Sequence, residues 1–200
     1  MTEGKTTYDG TFSNGDPITY HSPNNFQSIV GDVAFQSEIV GFSDLHLIPY
    51  VGFGYRHWNR GEANVETSYS TRKVEYSWLL LPVGLRSKYK ISNRFTFGID
   101  FSARIQLSGK FKSNYSGISP HYNDPEADLG KRISWLLQIP MQLKVHDRWF
   151  FSLAPWFEYF NIGRSNGVDL YSGDLIIKRI FEPDSKMLKY GFYSGVGFMF

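Results

Sequence analysis

The feature that most constrains the fold of this chain is an unbroken alternation of residue types over residues 95–107. Every second residue there is apolar, and the residues between are polar or glycine. A period of two residues is typical of a β-strand with one apolar and one polar face. At about 3.3 Å per residue, such a strand would extend roughly 40 Å. Tilted by about 45°, it would cross the roughly 25 to 30 Å apolar layer of a bilayer.

Other parts of the chain show the same pattern. Residues 190–200 alternate and end on an aromatic residue, and the longest apolar runs, such as residues 78–81, are much too short for a membrane helix. Any membrane span would therefore consist of strands. Besides residues 95–107, the predicted strands are residues 33–42, 47–58, 76–90, 133–145, 150–162 and 189–200.

The connections between these strands alternate in length. Short polar turns are expected at residues 43–44, 91–94 and 146–148, whereas residues 59–75, 108–132 and 163–186 form long connections. Short turns on one side and long loops on the other are typical of outer-membrane barrels. The sequence thus predicts an all-β fold, an antiparallel up-and-down transmembrane β-barrel of about eight strands. Residues 1–200 are expected to form one domain.

The N-terminal part fits this barrel less simply. An even strand count requires an ascending strand before residue 30, with residues 5–8 as its upper end. An outer loop would follow, passing through residue 10, residues 14–17 and residues 23–25. No apolar segment typical of a secretory signal opens the chain. The expectation is an N-terminally truncated barrel, one with more strands, or one that closes in an unusual way. Residues 168–181 are predicted to form a hairpin above the membrane.

Composition excludes several classes of function. The chain has no cysteine, which excludes disulfides, thiolate nucleophiles and cysteine-ligated zinc. Its net charge is only +2, with the two signs interspersed, so no basic patch indicates nucleic-acid binding. Aromatic residues form 18% of the chain, as expected where they form girdles at two membrane interfaces.

The polar faces of the predicted strands carry charges of both signs and many glycines, whereas the apolar faces carry none of these charges. We therefore expect the apolar faces to point outward and the polar faces inward. The expected inward charged residues are Asp32, Glu38, Arg56, Arg86, Lys88, Asp100, Arg104, Lys144 and Glu158. Six of them are predicted to form an interior polar network: Arg56, Arg86, Asp100, Arg104, Lys144 and Glu158. Such a network is either an interlocked set of salt bridges or the lining of a channel.

Four features resemble Gram-negative outer-membrane β-barrel proteins in the broad sense of the porin family. They are the long alternating strands, the run of residues 50–58 that enters an outer loop, a loop at residues 8–10, and the terminal Phe200. The resemblance implies an integral protein of the outer membrane. It also implies that Tyr190, Phe198 and Phe200 belong to the signal read by the barrel-assembly machinery. That machinery, outer-membrane lipid and lipopolysaccharide are the implied partners.

Candidate catalytic and ligand-binding residues are few. His57 and His121 belong to no hydrolase motif, and the acidic loop of residues 121–128 lacks the spacing of an EF-hand. We therefore predict no catalytic residue, no metal site and no cofactor. Five basic residues are candidates for contacts with lipopolysaccharide phosphates: Arg60, Arg72, Lys73, Lys110 and Lys112.

The sequence favours a non-enzymatic structural or surface-interaction role. The alternatives are a narrow porin-like channel and an outer-membrane lipid hydrolase that uses His57 as a base. A soluble lipocalin-like barrel, with the two faces reversed, is a further alternative.

Overall fold

A computed structural model describes residues 2–11, 17–34, 45–60, 73–146 and 148–198, with side chains described from residue 45 onward. These residues form an all-β structure, and the expectation of an antiparallel all-β fold is confirmed. A helix of the length and apolarity needed to cross a membrane is not found among them. The strands are β1 (Thr2–Thr11), β2 (Pro17–Ala34), β3 (Leu45–Arg60), β4 (Val74–Lys90), β5 (Phe95–Ser113), β6 (Glu126–Asp128), β7 (Ile133–Gln138), β8 (Met141–Lys144), β9 (Trp149–Ile162), β10 (Val168–Ser172), β11 (Leu175–Ile180) and β12 (Ser185–Phe198).

One large sheet contains all of these strands except β10 and β11. Its path is β1-β2-β3-β4-β5-β7-β9-β12, so that neighbours in the sheet follow one another along the chain. All of the pairs are antiparallel. The short strand β6 pairs with β5, and β8 lies between β5 and β9. Strands β10 and β11 form a separate hairpin whose turn contains Gly173 at φ 57°, a left-handed conformation that glycine adopts without steric cost.

The predicted strand at residues 133–145 is wrong in one respect, because two strands replace it. Strand β7 ends at Gln138 and β8 begins at Met141. Pro140 lies in the gap and has no N–H to donate to a neighbouring strand. Its carbonyl still accepts a hydrogen bond of 2.8 Å from Gly98 N. The chain therefore keeps its course beside β5, but its regular pairing is interrupted.

The N-terminal expectation also needs correction. Residues 23–25, predicted to lie in an outer loop, belong to β2, where Asn24 pairs with both Gly4 of β1 and Arg60 of β3. Residues 5–8 lie within β1, and so do residues 8–10, where a loop was expected. Residue 17 begins β2, and residues 14–16 lie outside the described residues. Only residues 33 and 34 of the strand predicted at residues 33–42 lie among the described residues, and the turn at residues 43–44 lies outside them.

The two faces of the large sheet differ in exposure as the alternation predicts. On β5, Phe101 is 47% exposed, whereas the neighbouring Asp100 is 6% exposed. The exposed apolar side chains of the adjacent strands form what we call the apolar belt: Val51, Phe53, Tyr55, Leu79, Val83, Leu85, Tyr89, Ile99, Phe101, Leu107, Ile133, Trp135, Leu137, Phe157, Leu188, Tyr190 and Phe192. The exposed face of the sheet is therefore apolar, whereas its buried face holds charged and polar side chains as well as aromatic ones.

A β-bulge at Leu107 marks one edge of the belt. Leu79 pairs with Ser108 while Leu80 pairs with Gln106, so Leu107 is the extra residue on β5. Beyond it, toward what we call the upper end of the sheet (Arg60, Val74 and Ser113), the exposed residues of β5 are Ser108, Lys110 and Lys112.

The same change occurs on the two neighbouring strands. Tyr55 pairs with Leu79, and both belong to the belt. The next residues on that face are His57 and Asn59 on β3 and Ser77 and Glu75 on β4. On three adjacent strands, therefore, the exposed face changes from apolar to polar at the same level. We call this level, defined by Tyr55, Leu79 and Leu107, the boundary.

The sheet is strongly curved. Strands β3 and β9 are separated by β4, β5 and β7, which in a flat sheet would place them roughly 19 Å apart at about 4.8 Å per strand. Arg56 on β3 nevertheless lies within 2.8 Å of Glu158 on β9. The ring centroids of Trp78 on β4 and Phe160 on β9 are 5.0 Å apart. The buried face of the sheet is therefore its concave face, and it encloses an interior.

Candidate functional site

The interior contains a cluster of charged side chains around Glu158, whose residue exposure is only 3%. Arg56 Nη2 donates a hydrogen bond of 2.8 Å to Glu158 Oε1, and Arg104 Nη1 donates one of 2.7 Å to the same oxygen. Lys189, the register partner of Glu158 on β12, places Nζ 3.9 Å from Oε2. Buried charges of this kind are stable only when they are paired and hydrogen-bonded. We call these four residues the Glu158 cluster.

A second cluster surrounds Asp100. Arg86 Nε donates a hydrogen bond of 2.7 Å to Asp100 Oδ2, and Tyr50 Oη donates one of 2.7 Å to Oδ1. The Arg86 guanidinium also lies 4.2 Å from the centroid of the Tyr50 ring. Gly84 pairs with Tyr50 across β3 and β4, and a Cβ at this position would lie 2.5 Å from the Tyr50 ring. The ring therefore occupies the space that a side chain at position 84 would need.

The structure brings together five of the six residues predicted to form an interior network, in these two clusters. Lys144 belongs to neither of them: it lies on β8, partly buried, where its backbone N donates to Arg94 O. Lys88, which was also expected to point inward, is exposed. Glu38 and the side chain of Asp32 lie outside the described residues.

Sequence reasoning missed two members of the clusters. Tyr50 and Lys189 were not assigned to the network, although Tyr50 shares a strand face with Arg56 by alternation. The partnership of Lys189 with Glu158 depends on the register between β9 and β12, which a single sequence does not reveal.

Closer to the upper end, the interior changes from polar to aromatic. Trp58 stacks on Tyr76 at a centroid distance of 4.7 Å, Tyr76 stacks on Trp78 at 5.7 Å, and Phe160 meets Trp78 edge-on at 5.0 Å. Together with Phe111 these residues form the aromatic cluster, and all five are buried. The guanidinium of Arg56 lies 4.5 Å from the centroid of the Phe160 ring, so the aromatic cluster packs directly on the Glu158 cluster.

The residues assigned to an assembly signal lie on β12 or beyond it. Tyr190 is 79% exposed. Phe198 meets Trp149 of β9 edge-on at a centroid distance of 5.0 Å. Phe200 lies outside the described residues.

A cavity of about 470 Å³ lies at the upper ends of β7, β9 and β12. Its lining residues are Arg132, Asn161, Ile162, Asp184, Ser185 and Lys186. We call it the rim pocket. Arg132 Nη2 donates a hydrogen bond of 2.7 Å to Asp184 Oδ1, which also accepts one of 2.9 Å from Arg164 N. These two hydrogen bonds hold the pKa of the Asp184 carboxyl below its ordinary value.

The residues considered for catalysis or calcium binding have structural contacts. The ring of His57 stacks on that of Tyr55 at a centroid distance of 6.5 Å. In the acidic loop, Asp124 Oδ1 accepts hydrogen bonds from the backbone N of Tyr115 and of Ser116, at 2.9 and 2.8 Å. Asp124 thus holds a turn of the loop together.

Within the described part of the chain, His, Asp and Glu side chains form no group of three or more that is suited to a metal ion. No protein-family model matches the sequence, and no curated protein has significant similarity to it.

Proposed function

We propose that this chain is an integral β-barrel protein of the Gram-negative outer membrane with a non-enzymatic structural or surface-interaction role. The observation that carries the proposal is the boundary, where the exposed face turns from apolar to polar at one level on three adjacent strands. A bilayer imposes such a level on every strand that crosses it, because the hydrocarbon layer ends at one depth.

The height of the belt supports the proposal. Along β4, the exposed side chains of Tyr89 and Leu79 lie on the same face and are ten residues apart. Ten residues extend roughly 33 Å along a strand, which at a tilt of about 45° gives a height of about 23 Å. The apolar band of a transmembrane barrel is about 25 Å high.

The distribution of polarity favours lipid over water outside the sheet. Water-soluble monomers rarely expose contiguous apolar patches larger than a few hundred Å². The belt extends over six adjacent strands of the sheet, from β3 to β12. A lipocalin-like protein would need an apolar interior at the level of the belt, whereas this interior holds Arg56 and Glu158, both at most 3% exposed.

An up-and-down barrel accounts for the sheet topology. The path contains eight antiparallel strands in chain order, and its curvature brings β3 and β9 into side-chain contact. We propose that this sheet closes in the membrane. On this account Tyr190, Phe198 and Phe200 belong to the signal that the barrel-assembly machinery reads, and outer-membrane lipid and lipopolysaccharide surround the exposed belt.

The narrow channel is the second candidate, favoured by the buried charges of the Glu158 cluster. The aromatic cluster argues against it, because Trp58, Tyr76 and Trp78 fill the interior directly beyond those charges. Side chains normally fill a barrel of about eight strands. We therefore propose a non-conducting barrel.

The experiment compares lysine substitutions on the two sides of the boundary. Phe101→Lys places a charge in the belt, and Ser108→Lys places one on the same strand just beyond the bulge. After refolding into phospholipid vesicles, Phe101→Lys should lower the free energy of unfolding by about 2 to 4 kcal/mol, and Ser108→Lys by about 0 to 1 kcal/mol. A folded wild-type protein should also migrate faster before boiling than after it in denaturing electrophoresis. Equal effects of the two variants, or a protein that folds in buffer without lipid or detergent, would contradict the proposal.

A further inference from the structure

The rim pocket lies at the level of the boundary. Gln106 N donates a hydrogen bond of 3.1 Å to Arg132 O, so Arg132 lies beside the residue that precedes the bulge at Leu107. Arg132 is followed by Ile133, the first residue of β7 and a member of the belt. The pocket therefore lies where the belt ends on the β7, β9 and β12 side of the sheet.

At the rim pocket, a polar residue pair and an apolar one follow each other on the same face of β9 and β12. Lys186 lines the pocket and pairs with Asn161, and two residues further along the same face Leu188 pairs with Tyr159. Side chains two residues apart on a strand share a face. A molecule with its polar group in the pocket and an apolar tail below it would therefore contact Leu188, which is 57% exposed.

The polar groups of the pocket are suited to a phosphate. Arg132 and Lys186 supply two positive charges and Ser185 supplies a hydroxyl. Asp184 Oδ1 accepts hydrogen bonds from Arg132 Nη2 and from Arg164 N. The bond to Nη2 orients the guanidinium of Arg132. Among the described residues, Lys186 forms no ion pair, so its charge is the one available to a ligand. A guanidinium and an ammonium group form strong charge-assisted hydrogen bonds with phosphate oxygens.

Backbone contacts fix the walls of the pocket. Gly130 N donates a hydrogen bond of 2.9 Å to Arg164 O. Gly163 lies so close that a Cβ there would overlap the Gly130 carbonyl. This close approach ties the segment that leads into Arg132 to the one that leaves β9. Asn161 Nδ2 donates to Ile133 O, which leaves the amide oxygen of Asn161 as an acceptor for a hydroxyl group.

We propose that the rim pocket binds the phosphate of a lipid headgroup, with the acyl chains against Leu188 and Ile133. The inference rests on the proposed function, because a membrane around the belt is what brings lipid headgroups to this level. Both a lipid and free phosphate offer the same chemistry to Lys186, and the experiment separates them.

The test uses the full chain refolded in zwitterionic detergent micelles, with dioctanoyl phosphatidic acid as the probe. Lys186→Gln should weaken its binding by about tenfold, the loss expected for one charge-assisted hydrogen bond. The matched control is Lys90→Gln, which removes another exposed lysine charge at the end of β4 that lies far from the upper end of the sheet. This variant should leave binding unchanged. Dioctanoylglycerol, which lacks the phosphate, should bind far more weakly than phosphatidic acid to the wild-type protein.

Four results would overturn the inference. One is an equal loss of binding in Lys186→Gln and Lys90→Gln, which would mean unspecific attraction by net charge. Another is binding of inorganic phosphate as tight as that of phosphatidic acid, which would make this a site for free phosphate. The third is no binding of phosphatidic acid to a protein that shows the heat-modifiable band; the proposed function then stands and the pocket proposal fails. The fourth is a chain that shows no heat-modifiable band, which would contradict both the proposed function and the pocket proposal.

Discussion

Arg56 and Glu158 are 102 residues apart in the sequence and lie on strands with three others between them, yet Arg56 Nη2 donates a hydrogen bond of 2.8 Å to Glu158 Oε1. Arg104 donates to the same oxygen from β5. The curvature of the sheet and the pairing of its buried charges therefore depend on one another. In a flat sheet these side chains would lie too far apart to pair, and their charges would then need to be exposed to solvent to be stable.

The first prediction concerns the carboxylate at the centre of this arrangement. Glu158→Gln preserves the shape of the side chain but leaves Arg56, Arg104 and Lys189 without the shared negative charge. Breaking a buried ion pair on one side typically costs about 3 to 5 kcal/mol. Urea unfolding in micelles, followed by tryptophan fluorescence, should show a loss of that size.

The control for this variant is an exposed ion pair. Lys110 and Glu126 approach within 2.8 Å, but both side chains are about half exposed. Exposed pairs contribute little, because solvent screens them. Lys110→Gln should therefore leave the urea midpoint nearly unchanged. Similar midpoints for Glu158→Gln and Lys110→Gln would show that the Glu158 cluster does not hold the sheet together.

The second prediction concerns conductance. The aromatic cluster fills the interior beyond Arg56, so the wild-type protein should give no current steps in a planar lipid bilayer. Trp78→Ala removes the side chain that packs over Gly109, and it should both destabilise the fold by about 3 to 5 kcal/mol and admit water. Wild-type current steps whose ion selectivity changes in Arg104→Gln would instead favour the channel.

The third prediction concerns pH and the loop above the sheet. Burial acts to raise the pKa of Asp124, but hydrogen bonds from Ser116 and Tyr115 outweigh it and hold the pKa below its ordinary value of 3.8. Because the pKa of Asp124 is lower in the folded state, its ionised carboxylate stabilises the loop at pH values above the unfolded pKa. This stability is lost as the pH falls through the folded pKa. The carboxyl carbon of Asp124, followed by NMR, should titrate below pH 3.8.

The same loop provides the control. In Asp124→Asn, the amides of Tyr115 and Ser116 lose their charged acceptor. Their hydrogen exchange, corrected for intrinsic rates, should be faster than in the wild type at pH 6 and should no longer respond to acid. A titration midpoint at or above the ordinary value would contradict the role given to these hydrogen bonds.

Local alternation was sufficient to predict most of the strands. Residues 47–58, 76–90 and 150–162 lie within β3, β4 and β9, with bounds that differ by two residues or fewer. Strand β5 runs six residues beyond the predicted end at Leu107, because the bulge there breaks the alternation without ending the strand. Pro140 had the opposite effect, since the alternation continues through it but the regular pairing does not.

The sequence predicted which charged residues point into the interior, but not which of them form ion pairs there. Arg56, Arg86, Asp100, Arg104 and Glu158 all lie on the predicted polar faces. Which arginine meets which carboxylate depends on register and curvature, and these arise from contacts across many strands. The aromatic cluster was missed for the same reason. Trp58 and Trp78 were not assigned to the interior, and the sheet geometry brings them together there.

The measurement that tests the central claim most directly is the environment of two spin labels on β5. The chain contains no cysteine, so Phe101→Cys and Ser108→Cys each provide a unique attachment site. In vesicles, a nitroxide at position 101 should be relaxed strongly by oxygen, which concentrates in the bilayer, and weakly by a water-soluble nickel chelate. A nitroxide at position 108, beyond the bulge, should show the reverse. A label at position 101 that the nickel chelate reaches as readily as one at position 108 would contradict the assignment of the belt to lipid.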